Sequence, residues 1–306
     1  VESLAALIAA SVAAGTVFAL AGLGLLINER AGVVNLGAEG MMLVGALAGY
    51  ACAIHSGSAA LGFVAGALAG AVMALGFGAL VIWLHTNQYA TGLAVSLFGG
   101  GVTAFAGAGY TDRQLPAGAA AGLPWLAEIP VVGPAVFRYH PMVYLAIALC
   151  GAIAWFFART RAGLVVRAVG EAPASAHALG YPVQRIRLAA VVFGGASCGL
   201  SGAYVSLAYT RLWVEGLTAG RGWIALALTT FATWRSGRVL LGAYLFGGVT
   251  MLQLYLQARD VQIESHLLAM APYLATIAVL VAISRKPAWL RLQMPASLGQ
   301  VFRPND

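Results

Sequence analysis

Long apolar runs separated by short polar breaks govern this chain. Runs cover 3–27, 60–84, 89–109, 141–158, 188–209, 239–257 and 266–284, and a second run in chain order covers about 40–54, with a start as early as Val33 left open. A helical crossing of the bilayer core needs about 20 mostly apolar residues. The remaining run, 222–234, is short for that length and ends in Trp234-Arg-Ser-Gly-Arg238. Two readings stand for it: a short crossing buried by its neighbours, or a re-entrant segment. No run shows the ten-residue alternation of barrel strands. The pattern predicts an all-α polytopic membrane protein with about nine transmembrane helices in a single domain over 1–306. The run 60–84 also carries Gly62, Gly66, Gly70, Ala74 and Gly78 at four-residue spacing. That spacing aligns small residues on one ridge, where another helix backbone can approach closely.

Composition supports the membrane class. The 306 residues are 61% apolar and 9% charged, against about 25% charged in a typical soluble domain. The first run reads as a retained span, not a cleaved signal. Cys52, Cys150 and Cys198 each fall inside an apolar run and read as small hydrophobes, not as disulfides or metal ligands. The net charge of +7 concentrates in particular loops, so it reads as topology and not as a nucleic-acid surface. With every run crossing, Arg30, Arg159, Arg161, Arg167, Arg185, Arg187, Arg235, Arg238, Arg285, Lys286, Arg291 and Arg303 fall on one side. Arg113, Arg138, Arg211, Arg221 and Arg259 fall on the other, a division of 12 to 5 among the 17 basic residues. The excess marks the cytoplasmic side, which places the N-terminus outside and the C-terminus in the cytoplasm.

The longest basic break, 159–187, holds five arginines against one acid, Glu171. Its centre predicts a short helix. Pro173 suits the first helical position and Gly180 the left-handed residue after the last turn. Ala174, Ala176 and Ala178 favour helix between them, and Tyr181-Pro182 stops it. Such a helix serves either as a docking element for another protein or as an interfacial connector. In the docking reading, Ala176 faces the partner and only a small side chain fits there.

Candidate chemistry is sparse. The sole lysine, Lys286, stands in no G-x-x-x-x-G-K-[ST] loop, so this chain binds no ATP through a P-loop. No hydrolytic triad or metal-ligand cluster is evident, which argues against an enzyme. Ion-coupled carriers usually keep acids within their spans, and only Glu39 stands as such a candidate. The segment 31–42 places Gly32, Gly37 and Gly40 around Asn35 and Glu39. It predicts either a broken helix whose freed backbone and polar side chains line a wet cavity, or a plain amphipathic connector.

The motifs ERAGVVNLGAEGMMLVGA (29–46), AVGEAPASAHALGYPVQRIR (168–187) and GLSGAYVSL (199–207) resemble the permease subunits of ABC importers. The group is the branched-chain amino acid, ribose and nucleoside permease family. RGWIALAL (221–228) and LQLYLQ (252–257) resemble its nucleoside or simple-sugar branch. Gly32-Val-Val-Asn-Leu36 replaces the Gly-Ile-Asp-Leu-Ser of ribose-type relatives, a departure that favours nucleosides over free pentoses.

The resemblance implies a type II importer-like transmembrane subunit in the bacterial inner membrane. It implies a cytoplasmic coupling helix matched by Gly170, Glu171, Pro173, Ala176 and Gly180. The implied partners are a second, longer permease chain, an ABC ATPase that uses ATP and Mg, and a substrate-binding lipoprotein. No cofactor of this chain's own is implied. Asn35, Glu39, Gln88, Ser96 and Gln253 are the candidates for the substrate path, although a helix–helix hydrogen bond is the commoner use of a polar residue in a span. The alternatives are a permease for a simple sugar, an ion-coupled secondary transporter, and a structural subunit without a path. The orientation is open to test by cysteine labelling on a Cys-free background. Cysteines at Ser175 and Ser297 are expected to label from the cytoplasm and one at Ala119 from outside; cytoplasmic labelling of Ala119 would reverse the assignment.

Overall fold

Lipid offers no partner to a free N–H or C=O, so apolar runs close their hydrogen bonds locally, as helices. A computed structural model of the protein describes residues 2–111, 113, 115, 139–257, 270, 274, 277, 281 and 294–303. Its helices in chain order are α1 (Glu2–Arg30), α2 (Ala38–Ser56), α3 (Ala59–Gly78), α4 (Gln88–Gly107) and α5 (Pro141–Arg159), then α6 (Arg161–Glu171), α7 (Pro173–Ala178), α8 (Val183–Tyr204), α9 (Arg221–Phe231) and α10 (Ser236–Gln257). Single π-helical turns extend α3 through Ala79–Trp83 and α8 through Val205–Tyr209. No strand occurs among the described residues. Seven helices are long and apolar enough to cross a membrane there: α1, α2, α3, α4, α5, α8 and α10. The expected span 266–284 and most of the expected outer loop 110–140 lie outside the described residues.

The first polar break differs from expectation. α1 continues to Arg30, so Asn28 and Glu29 lie within its last turn, and both are buried. Only then does the helix break, and residues 31–37 run without regular structure to the start of α2. The basic break 159–187 holds two helices where one was expected. Thr160 starts α6 by accepting from the Gly163 N–H at 3.0 Å, which satisfies one free donor of the first turn. α7 then follows as predicted, with Pro173 in its first turn and Gly180 left-handed at φ +88°.

α1 packs antiparallel to both α8 and α10. The Ser201 hydroxyl donates to the Val17 carbonyl at 2.6 Å and Tyr204 to that of Ala13 at 3.3 Å. Gly24 lies against Ser197, Gly22 against Val239, and Gly15 against Tyr244. α8 and α10 therefore run parallel to each other, and the chain between them passes from one end of the bundle to the other. α9 accounts for 11 residues of that passage, about 16 Å at 1.5 Å per residue. Residues 210–220 make up the remainder without a helix, using left-handed backbone at Arg211, Gly216, Ala219 and Gly220. A re-entrant segment would have returned to its starting end.

The predicted ridge on α3 is a contact. Gly62, Gly66, Gly70, Ala74 and Gly78 are all buried. The first four face a counter-row on α8 (Gly195, Gly199 and Ala203) and two glycines of α2, Gly45 and Gly49, while Gly78 meets Leu188 and Val191 of α8. A Cβ on Gly66 would lie 2.6 Å from that of Ala203 and 2.8 Å from the Gly45 carbonyl oxygen. Backbones this close gain dispersion that side chains would block, which is how helices associate without a hydrophobic drive between them. The opposite faces of α3 and α4 expose Leu68, Val72, Leu97, Phe98 and Phe105.

At the arginine-rich end, residues 295–302 return and bury Ser297 against Gly170. A label at Ser297 is therefore shielded, whereas Ser175 is exposed and suits the topology test. The ridge is tested by Gly66→Leu, expected to lose about 1–3 kcal/mol through overpacking. Gly101→Ala on α4, where an added Cβ meets nothing within 4 Å, is the control. Melting temperature in detergent reads both, and equal values would place the ridge against lipid.

Candidate functional site

Breaking two membrane helices leaves free backbone groups deep in the bundle, and each needs a partner. The breaks at 31–37 and 210–220 meet, and the carboxylate of Glu39 joins them. It stands in the first turn of α2. Its Oε1 accepts from the Thr218 hydroxyl at 2.5 Å and the Gly220 N–H at 2.8 Å; its Oε2 accepts from the Gly222 N–H at 2.7 Å. One buried carboxylate thus caps the N-terminus of α9 while belonging to the N-terminus of α2. Both helix dipoles favour a negative charge at this point. The approach requires a residue without a side chain at 222, since a Cβ there would lie 2.6 Å from the Glu39 nitrogen.

The far end of α9 is held by the end of α1. The Trp234 indole N–H donates to the Glu29 carboxylate. Arg30 donates through Nε and Nη2 to the Trp234 carbonyl at 3.2 and 2.9 Å. This turn takes left-handed backbone at two successive non-glycine residues, Thr233 at φ 51° and Trp234 at φ 53°. Each costs about 1–2 kcal/mol, offset here by those bonds and by Arg238 donating to the Thr233 hydroxyl at 2.5 Å. Glu29, Arg30, Thr218 and Trp234 were not among the predicted site residues. The one available signal was a charged Glu-Arg pair directly after an apolar run.

Three more predicted path residues meet the unwound segment. Gln88 accepts the Val34 N–H through Oε1 at 2.8 Å and donates through Nε2 to the Gln300 carbonyl at 3.3 Å. Ser96 donates to the Leu36 carbonyl at 2.7 Å, which also accepts from the half-exposed Trp223 indole at 3.3 Å. Asn35 is fully buried; its Nδ2 donates to the Met41 sulfur at 3.4 Å and its Oδ1 has no partner. In this conformation Glu39, Gln88 and Ser96 therefore hold backbone in place. Gln253 stands apart, half-buried one turn before the end of α10, toward the opposite end of the bundle.

The residues matched to the coupling helix divide by burial. Gly170 is buried where α6 meets the end of α1, and an added Cβ would collide with the Arg30 carbonyl. Glu171, at the end of α6, is exposed and accepts from the Ala296 N–H at 3.2 Å. Pro173 is half-buried and Gly180 exposed. Ala176 does not face outward as expected. It is buried within this chain against Val169 and Val183, with Phe302 beside them. Its small size answers intramolecular packing, because the six-residue helix lies flat on α6 and on the start of α8. The outward face of α7 and its following turn carries Ala174, Ser175, Ala178, Leu179 and Tyr181.

Comparison with known proteins places this chain in a family. The family model described as branched-chain amino acid transport system / permease component matches residues 7–283. A "Putative glucose ABC transporter permease protein" of Haloferax volcanii is 41% identical, over 97% of this chain and 97% of its own length. A guanosine ABC transporter permease of Bacillus subtilis is 31% identical over 92% of each chain. A nucleoside ABC transporter permease of Lactococcus lactis is 31% identical over 84% of this chain and 86% of its own. No solved structure matches. With a family model spanning nearly its whole length and relatives aligned end to end, this chain belongs to the family of branched-chain amino acid transport system permease components.

Proposed function

We propose that this chain is the transmembrane subunit of an ATP-driven importer and forms part of the path for a small, neutral, polyhydroxylated solute. The observation that carries this is the pair of interrupted membrane segments meeting at Glu39. Interrupted helices place backbone donors and acceptors at mid-bundle depth. They suit a solute rich in hydroxyls and without charge. A simple sugar is the first reading, because the relative named for glucose is 41% identical and those named for guanosine and nucleosides 31%. This reverses the preference drawn from Gly32-Val-Val-Asn-Leu36. Nucleosides stay as the second reading, on those relatives.

The energy comes from a partner ATPase, docked on the exposed face of α7. Leu179, 78% exposed at the end of that helix, is its apolar anchor. A second permease chain completes the path, and an external binding protein delivers the solute. The N-terminus is outside and the basic end cytoplasmic, in the plasma membrane. Alternating access then consists of α7 moving with the ATPase while the interrupted segments re-pair their backbone groups.

Three outcomes follow. In proteoliposomes holding the complete importer, labelled glucose is taken up with ATP and is displaced by excess unlabelled glucose more readily than by guanosine; the reverse order would select the nucleoside reading. Glu39→Ala leaves two buried donors and one half-buried donor unpaired and costs about 3 kcal/mol or more, seen as lost uptake and a lower melting temperature. Glu39→Gln, which still accepts, retains more of both. Leu179→Asp abolishes co-purification of the ATPase at an unchanged melting temperature. Ala176→Trp lowers the melting temperature itself, because it overpacks a buried site. ATPase retained in full by Leu179→Asp would move the docking surface elsewhere.

A further inference from the structure

The returning segment 295–302 contacts three separate parts of the bundle: α6, residues 31–37 and α7. Ser297 uses both its N–H, at 3.0 Å, and its hydroxyl, at 2.7 Å, on the Gly170 carbonyl. That carbonyl belongs to the last turn of α6, where backbone acceptors lack helical partners. The Ala296 N–H donates to Glu171. Three residues further on, the Gly299 N–H donates to the Gly32 carbonyl at 3.2 Å, in the broken segment. Gln300 offers its carbonyl to Gln88, whose other end holds the Val34 N–H. Phe302 then returns to α7, edge-on to His177 with ring centroids 5.6 Å apart, and packs beside Val169, Ala176 and Val183.

Arg187 stands beneath this segment. It is 3% exposed and donates to the Ser297 hydroxyl at 2.9 Å and the Gln300 carbonyl at 3.1 Å, while its Nε has no partner. These acceptors are neutral. A buried cation held only by neutral acceptors carries a desolvation cost for as long as the enclosing structure stays closed. Opening the segment would return the guanidinium to water. The contact is therefore closed by several hydrogen bonds and opposed by one charge, a balance suited to an element that moves.

We infer that residues 295–302 are a coupling strap that links α7 to the broken segment 31–37, with Arg187, Ser297 and Phe302 as positioning residues for transport. The inference rests on the proposed importer function for its purpose, but the mechanical link does not. The route is continuous: α7 to Phe302, along the strap to Gln300, across Gln88 to Val34, and through Leu36 to α9 by way of Trp223. α6 and α8 also reach both ends, with Gly170 and Arg187 beside Gly32 and Val169 and Val183 beside Ala176, and the strap closes over them.

Two measurements test it. The first uses the isolated full chain in detergent and amide hydrogen exchange. Phe302→Ala removes a contact to α7 and to the adjoining Val169 and Val183, none of it to residues 31–37, yet it is expected to speed exchange at Val34 by about tenfold, through local opening; Gln88→Ala is expected to speed exchange across α7. Protection of α3 should not change, which excludes general unfolding. Changes confined to the mutated end would overturn the link, whether or not the chain is an importer. The second uses the complete importer in proteoliposomes with labelled glucose and with guanosine. Arg187→Met and Ser297→Ala are expected to lower solute moved per ATP hydrolysed while the ATPase still co-purifies, and Ser297→Thr to restore it. Uptake and hydrolysis falling in proportion would overturn a coupling role. Absence of ATPase from the unmutated complex would instead count against the importer reading, leaving the exchange result to decide the strap.

Discussion

A single buried carboxylate, that of Glu39, holds the centre of this protein. Interrupting two helices inside a bundle frees N–H groups that lipid cannot satisfy. Burying a carboxylate is costly for the mirror-image reason, that it loses its water. Each problem is the other's solution here. Three donors from the start of α9 meet the two oxygens of a residue in the first turn of α2. Charge-assisted bonds of this kind are roughly twice as strong as neutral ones. Either break without the other would leave unpaired polar groups, so the two interrupted segments form one structural unit.

Around this unit the bundle has two mechanical characters. α2, α3 and α8 approach through glycine and alanine rows, backbone against backbone, with large side chains such as Tyr50, Phe77 and Tyr204 filling the flanks. Close packing of this kind resists deformation. Residues 31–37 and 210–220 are held mainly by side chains reaching to backbone: Gln88 to Val34, Ser96 and Trp223 to Leu36, Glu39 to Gly220. Such bonds exchange partners at lower cost than a packed ridge. The interrupted segments are therefore held by contacts of a different kind from those of the small-residue scaffold around them.

The arginine-rich end shows how a short helix is kept in place. α7 has too few residues to be stable alone, since helix nucleation is unfavourable. It is supported by burying Ala176 on Val169 and Val183 and by the closing contact of Phe302. That support explains why the small residue points inward and the longer Leu179 outward. It also binds α7 to the returning C-terminal segment, so that this helix is part of the bundle and not an appendage.

What the sequence by itself determined was local. The positions of the long helices among the described residues, the α3 ridge, a broken entry within 31–42, and Pro173 and Gly180 bounding α7 follow from apolar length, residue spacing and backbone preference. Each of these operates within one turn or one span. The gathering of Asn35, Glu39, Gln88 and Ser96 was foreseen as a set of polar residues, but not as a set of mutual supports. Tertiary structure decided the rest: Glu39 with residues 218–222, Glu29 with Trp234, Arg187 with Ser297, and Ala176 turned inward. These partners are separated by more than a hundred residues, apart from the packing of Ala176. Periodicity marks which residues must be buried, but the partner of a buried polar group depends on which distant segment arrives beside it.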